Sequence, residues 1–168
     1  MNSILVAALS LAKEAWSLRH TDPEKATKLA LKVKTQAAVQ GDKPALAESL
    51  VTLGFCQMRR ADFKAALDDA SAAHSLFEAL GNLEGAQRAL NTIGIIHGQT
   101  GHLTGALETF LKAHKLCEYL KDDESTANAL NNLAIIYNSV GDYASALDYY
   151  LRSLNLYRRL GNSKGELR

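Results

Sequence analysis

The sequence lacks a membrane-spanning segment, a strong net charge and a cysteine motif. No run approaches the about 18 consecutive apolar residues of a transmembrane helix, so we expect no membrane partner. The formal net charge is +1, which gives no long-range field to attract nucleic acid. Cys56 and Cys117 have neither CxxC nor CxxH spacing. We therefore expect buried thiols of a cytoplasmic protein, with a disulfide or a metal site as the alternatives.

Motifs of catalysis and metal binding are also missing. No serine or cysteine nucleophile has a base that the sequence would place beside it, and no glycine-rich phosphate loop follows a strand. His97 and His102 do not form an HExxH pattern, and we expect His97 to pack in the core. His74 and His114 recur at one repeat position, but no carboxylate or cysteine joins them at ligand spacing. The sequence predicts no catalytic residue, no metal and no cofactor.

What the sequence does contain is a 40-residue repeat. The stretch from Asn131 to Tyr150 recurs 40 positions earlier, where Asn131, Gly141 and Ala146 correspond to Asn91, Gly101 and Ala106. Self-similarity at a fixed period of this length indicates a helical repeat array. We predict a single array over 1–168, built from a divergent capping helix pair (1–40), three repeats (41–80, 81–120 and 121–160) and the start of a further repeat (161–168).

Each block divides into two helices. The predicted ranges are 3–19, 23–39, 43–59, 63–79, 83–99, 103–119, 123–139 and 143–159, with a ninth helix from 163. Short polar side chains stand at matching positions before the helices and are expected to cap them: Asp22, Asp42, Asp62, Asn82, Asp122, Asp142 and Asn162. Glycines before several caps suit the left-handed conformation that ends a helix. Lys121 interrupts that pattern, and we expect a looser turn there.

Small residues recur where the two helices of a block should cross. Gly54, Gly94 and Ala134 are predicted to face Ala66, Ala106 and Ala146. Small side chains on both helices allow the two axes to approach closely. Trp16, the single tryptophan, is expected to pack the first block against the second.

The repeat resembles the tetratricopeptide repeat. In the fourth block the matching residues are Leu130, Leu133, Ala134, Tyr137, Gly141, Asp142, Tyr143, Ala146, Tyr150 and Ser153. The match covers 41–160, whereas the first block has Glu14 where the pattern has Gly or Ala. The 40-residue period is similar to that of Leu-Gly-Asn polarity adaptors, kinesin light chain and repeat arrays of bacterial signalling proteins. The resemblance implies an all-α, right-handed α-solenoid of antiparallel helix pairs, which binds a protein or peptide in a concave groove without catalysis.

By the family register, the groove is lined by the first helix of each block. The predicted peptide-binding residues are Glu48, Val51, Phe55, Arg59, Arg88, Asn91, Ile95, Gln99, Asn128, Asn131, Ile135 and Asn138. The repeated amides of Asn91 and Asn131 could hold a peptide backbone, since an amide both donates and accepts. Arg88 would then bind a carboxylate. The alternative role of the two asparagines is to tie neighbouring helices together, and Ile95 and Ile135 could instead belong to the core.

Two functions follow from the resemblance. The first is a protein-interaction scaffold that binds a peptide segment in its groove. The alternative is a regulatory or oligomerisation module of a larger, for example bacterial signalling, protein. Residues 161–168 repeat the opening of the third block, so we expect the repeats to continue in a longer parent chain. The apolar run Ile4–Leu9 and an open C-terminal face could each pair with a second copy, which makes a homo-oligomer the other candidate assembly.

Overall fold

Eight α-helices make up the structure, a computed structural model that describes residues 3–161, with side chains from residue 7 onward. They are α1 (Ser3–Leu18), α2 (Pro23–Gln40), α3 (Lys43–Arg59), α4 (Phe63–Ala79), α5 (Leu83–Gln99), α6 (Leu103–Leu120), α7 (Asp123–Ser139) and α8 (Tyr143–Arg159). Residues 3–161 contain no strand, and the predicted all-α class is confirmed. Every predicted boundary of these helices lies within one residue of the observed one. The predicted ninth helix, the cap Asn162 and the side chains of Ile4 to Val6 lie outside the described part.

The predicted caps explain most of the helix starts. At five starts a side-chain oxygen accepts a hydrogen bond from the N–H three residues further on, which satisfies one of the free donors of the first turn. These residues are Asp22, Asp42, Asn82, Asp122 and Asp142, with N···O distances of 2.9–3.1 Å. Asp62 and His102 stand at the equivalent position without such a bond.

The turns between helices depend on a residue in the left-handed conformation. Gly41, Gly81, Gly101, Gly141 and Gly161 have φ between 64° and 83°. The looser turn expected at Lys121 was wrong: Lys121 itself adopts φ 56°, and its N–H bonds to the last carbonyls of α6. Ala61 has a φ of 61° in the same conformation. A side chain in this region costs about 1–2 kcal/mol, so these two turns are strained.

The described residues form two compact units, one up to Ile96 and one from His97 onward, with the boundary inside α5. In the first unit, α1 packs against α2 and α3, and α3 also packs against α4. Alanines and a few larger side chains such as Val33, Leu53 and Phe77 fill its core. The Trp16 ring meets Phe55 edge-on at 5.8 Å, which confirms that Trp16 packs the first block against the second.

Gly54 permits the close crossing of α3 and α4 that the small residues predict. A Cβ atom built on Gly54 would lie 3.0 Å from the carbonyl oxygen of Ala66, and 3.1 Å from both the backbone nitrogen and the Cβ of Ala70. Two of these three atoms are backbone, which cannot move aside without shifting the helix. The predicted contact between Gly54 and Ala66 is therefore confirmed.

In the second unit, α7 packs against both α6 and α8. Leu130, Leu133, Ala134 and Ala146 are buried between them. Two side chains also join α8 to α7 through hydrogen bonds. The hydroxyl of Ser153 donates to the Ala127 carbonyl at 2.8 Å, and the hydroxyl of Tyr157 donates to Oδ1 of Asn128 at 2.7 Å.

No helix within the described range is long and apolar enough to cross a membrane.

Gly54→Ala should destabilise the protein by about 1–2 kcal/mol. Overpacking at the α3–α4 crossing costs about 1–3 kcal/mol, of which the better helix propensity of alanine recovers up to about 1 kcal/mol. Gly98→Ala is the matched control, because the nearest atom to its new Cβ is the flexible end of Ile136 at 3.2 Å. Urea unfolding should show a lower free energy of unfolding for Gly54→Ala and no decrease for Gly98→Ala. Equal unfolding midpoints for the two variants would contradict the close crossing at Gly54.

Lys121→Gly should stabilise the protein by about 0.5–1 kcal/mol. Glycine removes the strain of the left-handed conformation but adds freedom to the unfolded chain, so the gain is smaller than the strain itself. Gly141→Ala should have the opposite effect, since a Cβ there meets no atom within 4 Å and only its φ of 83° opposes the side chain. Thermal unfolding measures both changes, and a stabilised Gly141→Ala variant would contradict the explanation.

Candidate functional site

The predicted groove residues of α3 are mostly buried. Glu48, Val51 and Phe55 are 3%, 0% and 8% exposed, and only Arg59 is exposed to solvent. These three side chains lie in contacts between helices of the first unit, so a partner could not touch them without displacing a neighbour. The spacing of these residues places them on one face of α3, as the repeat register predicts. Packing, however, buries this part of the face inside the unit.

Arg88 already has a carboxylate partner within the chain. Its Nη1 and Nη2 donate to Oε2 and Oε1 of Glu48 at 3.0 and 2.7 Å, which is a bidentate ion pair between α5 and α3. The guanidinium carbon also lies 4.9 Å from the Trp16 ring and 5.5 Å from the Phe77 ring. Breaking such a pair leaves a buried charge uncompensated, at a cost of about 3–5 kcal/mol. The expected role of Arg88 in binding a partner's carboxylate does not fit this arrangement.

Arg19, at the end of α1, is the cation that the sequence analysis missed. Its guanidinium carbon lies 3.9 Å from the Trp16 ring centroid and 5.6 Å from that of Phe55. Its Nη1 donates to the Trp16 carbonyl at 2.9 Å, and its buried Nε has no hydrogen-bond partner. Burial lowers the pKa of Arg19, and the nearby positive charge of Arg88 lowers it further. Among the described residues, Arg19 forms no ion pair with a carboxylate, and its guanidinium donates to a backbone carbonyl instead.

A signal for Arg19 was present in the repeat. It stands 40 residues before Arg59 and 80 before Gln99, at a position that the register assigns to the groove. The register was applied only from residue 41, because Glu14 weakens the match of the first block. We call the cluster of Trp16, Arg19, His20 and Phe55 the Arg19 shelf; the His20 ring lies 5.0 Å from Phe55.

Asn91 and Ile95 lie in the part of α5 that belongs to the first unit. Both are half-buried. Ile95 packs against the cluster that contains Phe55, Met58 and Ile96, as expected for a residue that is partly core. Because part of the Ile95 side chain is covered by this core, only the remaining part could contact a partner.

In the second unit, α7 presents a stripe of the predicted residues to solvent. Asn131 is half-buried, Ile135 is 45% exposed and Asn138 is exposed. Their spacing of four and three residues places them on one face of the helix. We call these three residues the α7 stripe. Gln99 is exposed at the end of α5, and its place in a partner site stays a prediction.

Asn128 is engaged inside the unit. Its Oδ1 accepts from Tyr157, and its Nδ2 donates to the Glu124 carbonyl at 3.0 Å. Both ends of the amide are therefore used, and Asn128 ties α8 to α7. This is the structural role that the sequence analysis considered for the other asparagines.

The histidines pair locally. His74 and His114 each lie near a glutamate one turn further along the same helix, at 3.4 Å from Glu78 and 3.7 Å from Glu118. The rings of His97 and His102 meet at their Nδ1 atoms, 3.3 Å apart. Burial, and then the neighbouring His102, lowers the pKa of His97, which is half-buried rather than fully in the core.

A cleft of about 640 Å³ lies between α6, α7 and α8. Lys121, Arg152 and Arg159 line it together with Glu118 and Asp123, so both signs of charge are present. Arg152 and Arg159 approach Asp148 and Asp123 at 3.7 and 3.8 Å. Burial lowers the pKa of His114 in its wall. Among residues 3–161 there is no group of three or more histidine, cysteine or acidic side chains that could hold a metal ion.

Comparison with solved structures confirms the architecture. Aspartyl phosphate phosphatase F from Bacillus subtilis matches 98% of this chain with a TM-score of 0.84 at 15% identity. BtubC (BKLC) from P. vanneervenii matches 94% with a TM-score of 0.62 at 20% identity. MamA matches 89% with a TM-score of 0.57 at 16% identity, and 88% of its own chain is covered. At these identities the likeness concerns the fold.

The chain spans only part of the first two structures, 44% and 57% of their lengths. No curated protein sequence matches the chain. The family model for the tetratricopeptide repeat matches residues 85–159, which include the α7 stripe. The resemblance predicted from the repeat is thereby confirmed over residues 85–159, which are less than half of the chain, and the helical fold is similar to that of the solved structures named above.

Proposed function

We propose that the chain is a non-enzymatic interaction scaffold of the cytoplasm that binds an extended peptide segment along its first helices. The observation that carries the proposal is the α7 stripe. It places two amides and a half-exposed isoleucine on one face, within the residues that match the repeat family. We propose neither nucleic acid nor a membrane as a partner, since a net charge of +1 gives no strong field that would attract either of them.

The chemistry of the α7 stripe suits a peptide backbone. Each amide offers donors and an acceptor to backbone groups of any sequence, whereas Ile135 offers apolar contact to a side chain. Asn131 and Asn138 lie seven residues apart, or about two helical turns. This separation is about 10 Å along the axis, which an extended peptide covers in about three residues.

The double variant Asn131→Ala and Asn138→Ala should weaken peptide binding by at least about tenfold. Two peptide groups would lose their partners, at about 1–3 kcal/mol each, and about 1.4 kcal/mol corresponds to one decade. Peptides selected from a display library on the wild-type protein serve as ligands, and fluorescence anisotropy measures their affinity. Asn155→Ala, which removes an exposed amide from α8, is the matched control.

The helical circular dichroism and the melting temperature should not change in the double variant. Unchanged affinity would show that the peptide lies elsewhere. A lower melting temperature, with an unchanged affinity of the folded molecules, would show that the two asparagines stabilise the fold and do not bind the peptide.

An exposed apolar face on α8 supports the alternative, an oligomerisation or regulatory module. Tyr143, Leu147 and Leu151 are 70%, 59% and 51% exposed and lie on one helix face. Phe63 and Leu67, at the positions equivalent to Tyr143 and Leu147 in α4, pack instead against the core cluster with Phe55 and Ile96. An apolar patch of this kind is typical of a surface that binds another protein.

If that face joins two copies, Leu147→Glu should abolish association because it places a charge in an apolar interface. Sedimentation velocity over a concentration series should show a dimer for the wild type and a monomer for the variant. Lys112→Glu, an exposed change on α6, is the control. A wild type that is monomeric at every concentration would exclude this assembly.

A further inference from the structure

We propose that Arg19 anchors a carboxylate of the bound peptide, so that the first unit selects acidic segments. The inference rests on the proposed function and adds the class of ligand. It assigns the role expected of Arg88 to Arg19, which lies in the turn after α1 and outside the predicted site.

The charges around Trp16 do not balance. Two guanidinium groups, those of Arg19 and Arg88, lie within 3.9 and 4.9 Å of its ring centroid. The carboxylate of Glu48 is bound through both of its oxygens to Arg88 alone. One positive charge is therefore left over, and it belongs to Arg19.

Other acidic groups of α1 and of the α1–α2 turn are engaged elsewhere. The carboxylate of Glu14 lies 3.4 Å from the ammonium of Lys25 on α2. That of Asp22 caps α2 by accepting from the backbone N–H of Lys25 at 3.0 Å. Neither forms an ion pair with Arg19, whose guanidinium donates instead to the Trp16 carbonyl. The carboxylate of a bound peptide would supply an anion that these two groups do not.

The guanidinium of Arg19 is held in place before a ligand binds. Stacking on Trp16 at 3.9 Å and the hydrogen bond from Nη1 to the Trp16 carbonyl restrict its orientation. A stacked guanidinium keeps its in-plane N–H donors available, and these match the two oxygens of a carboxylate. Because the side chain is already ordered, binding costs little further conformational entropy. Partial burial also strengthens its attraction for an anion.

The repeat position of Arg19 also suits a peptide ligand. Arg19 shares its repeat position with Arg59 and Gln99, which the family register assigns to the peptide-binding face. Trp16, in the last turn of α1, and His20, which follows Arg19 in the turn after α1, provide apolar and polar edges for the neighbouring residues of a peptide. A peptide carboxylate on the Arg19 shelf is therefore in keeping with a chain that follows the first helices.

Calorimetric titration with two blocked peptides tests the inference: N-acetyl-tetraglutamate amide and N-acetyl-tetraglutamine amide. The wild type should bind the acidic peptide at least tenfold more tightly. Because Trp16 is the single tryptophan, its emission should change with the same dissociation constant. Arg19→Gln should abolish the preference, and Arg19→Lys should retain only part of it, since an ammonium cannot form the two parallel bonds.

Lys28→Gln, which removes an exposed positive charge from α2 of the same unit, should leave the preference unchanged. Circular dichroism melts establish that each variant is folded. A preference that survives in folded Arg19→Gln would overturn the inference, as would the absence of binding of the acidic peptide at millimolar concentration. Sodium sulfate that competes as well as the acidic peptide would reduce the shelf to a site for an adventitious ion only.

The two proposals fail separately. Equal binding of both peptides, independent of Arg19 but weakened by the Asn131→Ala and Asn138→Ala double variant, would overturn the carboxylate anchor and keep the scaffold. An intact preference for the acidic peptide in that double variant would keep the anchor and remove the α7 stripe from the binding surface.

Discussion

The close approach of α3 and α4 at Gly54 is the constraint on which the packing of the first unit depends. The two backbones come near enough that even a methyl group on Gly54 would meet atoms of Ala66 and Ala70 at 3.0–3.1 Å. The helices of 16 to 18 residues gain most of their stability from an apolar face that packs on a neighbour. A close crossing brings Phe55 and Met58 of α3 into one buried cluster with Ala66 of α4. Overpacking that crossing would separate them.

Charge is arranged within the same packing. The bidentate pair of Glu48 and Arg88 joins α3 to α5 and satisfies a carboxylate that is 3% exposed. Its bonds remove Arg88 from the groups that a partner could bind, and they leave Arg19 as the uncompensated cation beside Trp16. A contact that stabilises the unit thus also decides which residue is available for recognition. In the second unit, Asn128 is likewise engaged by a hydrogen bond from Tyr157, whereas Ile135 and Asn138 of the α7 stripe are exposed.

Local signals explain why the helix boundaries could be predicted so closely. A capping side chain such as Asp42 and a left-handed glycine such as Gly41 act within one turn of the chain, and their effect hardly depends on the rest of the fold. Lys121 shows the limit of that reasoning. The helices on either side of the turn impose its left-handed conformation. Lys121 adopts that conformation although a residue with a Cβ atom is strained in it.

The candidate site was predicted less well, because burial and pairing depend on contacts between residues that are distant in sequence. The 40-residue period placed Glu48, Val51 and Asn131 at groove positions, but period alone does not tell a buried member of a face from an exposed one. Val51 is fully buried and Glu48 is paired, whereas Ile135 remains half-exposed at the position where Phe55 is covered. The repeated pattern of residues determines the helices, their ends and the resemblance to the repeat family that residues 85–159 confirm. Only the packing of α1 against α3, which brings Trp16 onto Phe55, placed Arg19 on an aromatic surface beside an ion pair that does not include it.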